Sequence, residues 1–172
     1  MGAGLGYREK IFGKVNAMKN RIEALREYID SVLLSKPGAT EWRHAYIHLY
    51  GVAQACALLA LKRGEDAELA TMAGMLHDFY TYKLGYPVDD HAAKGALLAR
   101  EVLEELGLTN EEETRRICTA IHNHSDKGGR FDAFTEILID ADVMQHCLYD
   151  ITKPVAEREK DRFEQLSGEF GL

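Results

Sequence analysis

The run Ala70-Thr71-Met72-Ala73-Gly74-Met75-Leu76-His77-Asp78 decides how this chain is read. Small and apolar residues lead straight into an imidazole and a carboxylate set side by side. The pattern predicts a buried helix, capped by Asp66 and running to about Phe79. At its end an acid and an imidazole enter the core together, and a buried carboxylate without a partner is costly. A divalent cation would neutralise it. A lone buried histidine more often bonds a backbone carbonyl, so it is the pair that points to metal.

Working outward, helical periodicity continues and no stretch alternates as a strand. A charged amphipathic helix is expected over Tyr7 to Leu34, before Lys36-Pro37-Gly38. Ala45 to Lys62 is apolar nearly all round and predicts a central buried helix ending at Gly64. Tyr80 to Asp90, with Gly85 and Pro87, reads as a loop. Asp89 or Asp90 would cap a fourth helix with the core-facing stripe Ala92, Ala96, Ala99, Leu103, Leu106, stopped by Gly107. Thr109 and Glu112 suggest a capping box for a fifth, reaching Ser125. A sixth spans about Asp132 to Tyr149 with the inward stripe Phe134, Ile137, Ala141, Leu148. A charged surface helix follows Pro154. The expectation is an all-α, single-domain bundle of six to seven helices. Residues 1–40 would form an N-terminal helix packing on the domain, 41–150 its core, and 151–172 the surface helix.

The chain has 172 residues, 28 acids against 21 bases and a net charge of −7, without a sustained basic block. That disfavours a nucleic-acid polymer as partner, although a small anion can bind where metal supplies the positive charge. No uncharged apolar run of 18 residues or signal-like start is read, so neither a membrane span nor export is expected. Cys56, Cys118 and Cys147 form no CxxC pair and read as free thiols in a reducing, cytoplasmic setting. Nothing in the sequence fixes the oligomeric state, and a homodimer stands as one alternative.

Most of the seven histidines lie in apolar helical stretches. His48 sits upstream of His77 on a helix that can return antiparallel to it. His44 shares that face one turn earlier, so by the residues alone a His44/His48 pair could ligate metal by itself. His124 lies ~20° from Ile117 on the inward stripe, whereas His122 lies ~140° away. Asp140 and Asp142 flank their stripe symmetrically, and helical phase does not separate them.

The segments His48-Leu49-Tyr50-Gly51-Val52, Leu76-His77-Asp78 and Ile139-Asp140-Ala141-Asp142 resemble the HD superfamily of metal-dependent phosphohydrolases, over roughly Trp42 to Tyr149. His91-Ala92-Ala93-Lys94-Gly95-Ala96 and Ala120-Ile121-His122-Asn123-His124-Ser125 resemble the further histidine segments of its binuclear members, including the diadenosine tetraphosphate hydrolases. The resemblance implies His48, His77, Asp78 and Asp142 on one metal, and Asp78 bridging to a second held by His91 and His124. It implies Asp140 and His44 as orienting groups behind the ligands. His77, Asp78 and Asp142 would be the catalytic core. The donor mixture suits iron or manganese, with zinc, nickel, cobalt or magnesium as alternatives. The implied activity is hydrolysis of a phosphate ester or anhydride of a nucleotide-like small molecule by metal-activated water. Lys83, Tyr80, Tyr82, Lys94 and Arg130 are the substrate-binding candidates. The lysine comes two places later than in the tetraphosphate hydrolases, so their substrate does not transfer. A di-iron HD-fold oxygenase and a non-catalytic metal-binding HD module are the alternative readings.

Overall fold

The structure, a computed structural model, describes residues 21–35, 39–85 and 89–172. All of the regular structure among them is helical: α1 (residues 21–34), α2 (Ala39–Arg63), α3 (Ala67–Leu76), α4 (Phe79–Leu84), α5 (His91–Leu106), α6 (Glu111–Asn123), α7 (Ala133–Tyr149) and α8 (Lys160–Phe170), with a 3₁₀ turn at Glu157–Glu159. The earlier part of the first helix expected from the sequence, residues 7–20, lies outside the described residues.

The core is built around α2, whose buried stripe Leu49, Val52, Ala53, Cys56, Leu59 and Ala60 follows the helical repeat. That stripe packs on α3 and α7, while α6 closes the bundle against α5, α7 and α3. Asp66 caps α3 by accepting from the Glu68 and Leu69 amides, both at 3.0 Å. Gly107, at φ 60°, ends α5 in a left-handed turn that favours glycine.

Several boundaries differ from the sequence reading. The segment after Asp78 is not all loop: Phe79–Leu84 forms α4, because Phe79 and Thr81 are buried in the core. The helix before it accordingly stops at Leu76. The capping box of α6 is Asn110 with Glu113, one residue beyond Thr109 and Glu112, and closes by 3.0 and 2.9 Å hydrogen bonds. Leu148 is exposed, since α7 has run past the core by then. The helix α2 is not buried all round, and Leu58 and Leu61 are exposed. Its stretch Arg43–Arg63 is long and apolar enough to cross a membrane by length and composition, contrary to the expectation that no such run exists. Here it is the central helix of the bundle. The charged α8 is more than a surface helix, for it buries Arg162 and Leu166.

Candidate metal centre

Two close backbone approaches bring the histidines together. A Cβ on Gly74 would lie 2.7 Å from Ala53 Cα, so α3 and α2 touch at the backbone. A Cβ on Gly95 would lie 3.1 Å from the His77 carbonyl, which seats α5 against the end of α3. His77 follows the last turn of α3, and Asp78 sits in the bridge region at φ −110°, ψ 9° between α3 and α4. Asp78 makes no side-chain cap bond there, which leaves its carboxylate turned to the histidines.

Each buried ring is held by an acceptor. His77 Nδ1 donates to the Gly74 carbonyl at 2.7 Å, and His124 Nδ1 donates to the Ile121 carbonyl at 2.7 Å. His48 Nδ1 donates to Gln145 Oε1 at 2.8 Å. With Nδ1 carrying the proton, Nε2 of each neutral ring presents a lone pair.

Those Nε2 atoms converge on two carboxylates. His48 lies 3.4 Å from Asp78 Oδ2 and 3.5 Å from Asp142 Oδ1. His77 lies 3.8 and 3.7 Å from the same oxygens. The other oxygen of Asp78, Oδ1, faces His124 at 3.4 Å and the partly exposed His91 at 3.7 Å. Asp78 thus offers one oxygen to each of two donor groups. The ligating atoms of His48, His77 and Asp78, and of Asp78, His91 and His124, lie within 4.8 Å of one another. Asp78 Oδ1 and Asp142 Oδ1 are buried without a hydrogen-bond partner. Such oxygens beside free imidazole lone pairs fit a divalent cation.

The electrostatics follow from the crowding. Burial pushes the His77 pKa down to about 3, against the opposing pull of Asp78 and Asp142. Burial also disfavours a charged His48, but hydrogen bonding to Asp78 and the charge of Asp142 outweigh it and raise that pKa. The two carboxylates stay ionised: burial opposes this, yet the surrounding histidines, and Lys127 at Asp142, hold both well below the usual range.

Four side chains at or behind the centre were not marked by the sequence reading. Gln145 fixes His48, as described. Lys127 is buried and donates to Asp142 Oδ2. Arg162, also buried, bonds the Lys127 carbonyl at 2.6 Å. Glu159 accepts from His146 Nδ1 at 3.0 Å. His146 stacks on His48 with ring centroids 5.2 Å apart, and its Nε2 lies 3.4 Å from Asp142 Oδ1.

The remaining candidates scatter. Asp140 bonds no histidine; it pairs with Arg63 and Arg162, each at 2.8 Å. His44 is exposed rather than in the core, and lines the outer wall of a cleft of about 230 Å³ leading to His48 and Asp78. Tyr82 lines the same cleft, 6.3 Å from the His48 ring. Tyr80, Lys83 and Lys94 instead line a separate groove between α4 and α5. Arg130 is exposed and turned toward Glu136 and Gln165. None of these cations lines the cleft, because α4 is helical and carries Tyr80 and Lys83 to its α5 side.

The family model of the HD domain matches residues 45–159. The chain belongs to the HD domain family. The match takes in every donor of the centre, from His48 to Asp142, as well as His146 and Glu159. Among solved structures, one described as a predicted HD superfamily hydrolase from an uncultured Thermotogales bacterium is similar to this HD chain. It covers 90% of this chain and 87% of its own, at 20% identity and a TM-score of 0.49. No curated protein matches.

Proposed function

We propose that this HD-domain protein is a metal-dependent phosphohydrolase acting on a small, nucleotide-like phosphate ester. The observation that carries the reading is the locked set of imidazoles: three Nδ1 protons committed to acceptors, with the Nε2 atoms turned to Asp78 and Asp142. His48, His77, Asp78 Oδ2 and Asp142 Oδ1 would hold one cation, and Asp78 Oδ1, His91 and His124 a second. When bound, divalent cations supply Lewis acidity, lowering the pKa of water and drawing charge from phosphoryl oxygens.

The protein's own side chains support an ester with little additional charge. The cleft at His48 adjoins a groove of about 550 Å³ on the outer faces of α2 and α7, and the two share Ile47, Gln145 and Tyr149. Tyr46, Tyr50, Leu58 and Met144 line the groove, and neither surface is lined by lysine or arginine among the described residues. An apolar, aromatic wall suits a base or other flat organic group. It offers nothing to the extra charges of a long phosphate chain, which would favour a monophosphate over a polyphosphate.

The test is phosphate release by metal-stripped protein reconstituted in turn with Fe(II), Mn(II), Co(II), Ni(II), Zn(II) and Mg(II). The panel should span nucleoside monophosphates, nucleoside triphosphates, dinucleoside polyphosphates and sugar phosphates, with and without dioxygen. Metal-dependent, oxygen-independent release is expected, strongest for nucleoside monophosphates. No release with any metal would overturn the reading, and turnover only with dioxygen would assign the oxygenase chemistry instead.

A further inference from the structure

Lys127 is 8% exposed although it stands in the turn Asp126-Lys127-Gly128-Gly129, where a lysine ordinarily reaches water. Its Nζ donates to Asp142 Oδ2 and to the His124 carbonyl, the latter at 3.0 Å. One ammonium therefore joins the carboxylate of the first donor group to the backbone of a histidine in the second. The two oxygens of Asp142 have different surroundings: Oδ2 is taken by Lys127, while Oδ1 has no hydrogen-bond partner and faces His48 and His77.

The turn that presents Lys127 is clamped from behind. Arg162 donates to the Lys127 carbonyl at 2.6 Å and to the Gly129 carbonyl at 2.7 Å. Its guanidinium is fixed in turn by Glu136 at 2.7 Å and Asp140 at 2.8 Å, and Asp140 is held from its other oxygen by Arg63 at 2.8 Å. Lys127 is thus built in rather than resting there.

We propose that Lys127 is a positioning residue that restricts Asp142 to one ligating oxygen, and so keeps a coordination place free for water or substrate. A carboxylate with both oxygens available can bind a cation through both. With Lys127 removed, Oδ2 is a buried acceptor without a partner, a costly state that turning toward the cation would relieve. The ammonium also offsets one of the two carboxylate charges, which leaves more of the cation's charge for the reacting group. Removal therefore has an unusual signature: metal is held as tightly or more tightly, while turnover falls. A lysine that merely stabilised the turn would give the opposite, with affinity and activity lost together.

The proposal rests on the phosphohydrolase reading only for its kinetic arm; affinity and spectrum need no substrate. Lys127→Met and Lys127→Gln would be stripped of metal and titrated with Co(II) in competition with a chelator, and their visible spectra and thermal melts compared with wild type. For Lys127→Met, the expected Co(II) Kd is equal to wild type or up to about tenfold lower, with weaker visible absorption as coordination number rises. Its kcat should fall at least about tenfold at saturating metal. Lys127→Gln keeps an N–H donor and should return the spectrum toward wild type. A raised Kd in Lys127→Met, or an unchanged spectrum, would overturn the proposal. Should that variant not fold, Lys127→Ala, which also lacks a donor, decides: a Kd at or below wild type with reduced kcat supports it, and a raised Kd overturns it. If no substrate is turned over by any form, the phosphohydrolase reading falls while the affinity and spectral arms still judge Lys127.

Discussion

His48 Nε2 and His77 Nε2 lie 3.0 Å apart, each on a ring whose Nδ1 is hydrogen-bonded to an oxygen. Two neutral rings in this arrangement would aim lone pairs at each other. A cation would relieve it: two nitrogens ~2.1 Å from one ion and at a right angle are about 3.0 Å apart. Asp78 Oδ2 and Asp142 Oδ1 border the same space.

Metal should therefore stabilise the fold measurably. A cation present at 100 times its Kd adds about 2.7 kcal/mol, and for a domain of this size that corresponds to a Tm rise of roughly 5–10 °C. Differential scanning calorimetry of chelator-treated protein, before and after adding Mn(II) or Fe(II), measures it. A Tm that does not move with any of the six metals would count against a metal centre.

The division of Asp78 between two donor groups predicts unequal effects of its neighbours. Asp78→Ala should remove both cations and all activity, since one oxygen serves each group. His91→Ala touches only the group containing Asp78 Oδ1 and His124. Its metal content should fall toward one per chain, with the melting temperature of the metal-free form nearly unchanged because His91 is partly exposed at the start of α5. Elemental analysis of the two variants distinguishes the cases. One metal per chain in both wild type and His91→Ala would show that the second group holds no metal, and two in both that His91 is not one of its ligands.

Much of this arrangement was legible in the sequence, and the reasons differ by residue. The run ending at His77-Asp78 announces itself because a histidine and an acid after an apolar helix need a partner. His124 is the buried one and His122 the exposed one, as helical phase distinguishes them. Lys127 was not legible: an Asp-Lys-Gly-Gly turn reads as solvent-facing, and only the distant Arg162 draws it inward. Arg162 in turn sits in a charged helix whose single buried guanidinium no periodicity marks. Asp140 and Asp142 are indistinguishable by phase and are separated by what surrounds them, arginines on one side and histidines on the other. The helix α4 was obscured by Gly85 and Pro87, which made the whole segment look like loop.

The close crossing of α2 and α3 gives a prediction about stability and metal together. In Gly74→Ala the new methyl would meet Ala53 backbone atoms at 2.7 and 2.9 Å, contacts that a flexible side chain cannot relieve. The helices must separate, at a cost of about 1–3 kcal/mol. Because His48 and His77 ride on the same two helices, their 3.0 Å spacing should widen and metal affinity should fall. Urea unfolding of the metal-free protein measures the first effect, and chelator competition the second. Loss of stability with full metal affinity would show that the crossing does not set the spacing of the two rings.

The clamp behind the centre predicts a sharp contrast between two arginines that both reach Glu136. Arg162 is 3% exposed and serves two carboxylates and two backbone carbonyls. Arg130 is exposed and meets Glu136 at 3.5 Å. Replacing Arg162 with methionine leaves Glu136 without its main cation and Asp140 with Arg63 alone, and frees the carbonyls of Lys127 and Gly129, so a loss of about 3–5 kcal/mol is expected. Arg130→Met should cost well under about 1 kcal/mol, as exposed pairs do. The contrast should extend to the metal. With the turn released, Lys127 is no longer held against Asp142, so chelator competition on folded Arg162→Met should give a Kd at or below that of wild type with the altered Co(II) spectrum expected of Lys127→Met, while Arg130→Met keeps both as in wild type. Denaturant unfolding of both variants in the metal-free state separates the two contributions. Similar small losses in both would mean that Arg162 fills space without bearing on the turn, and that Lys127 is held by its own two contacts alone.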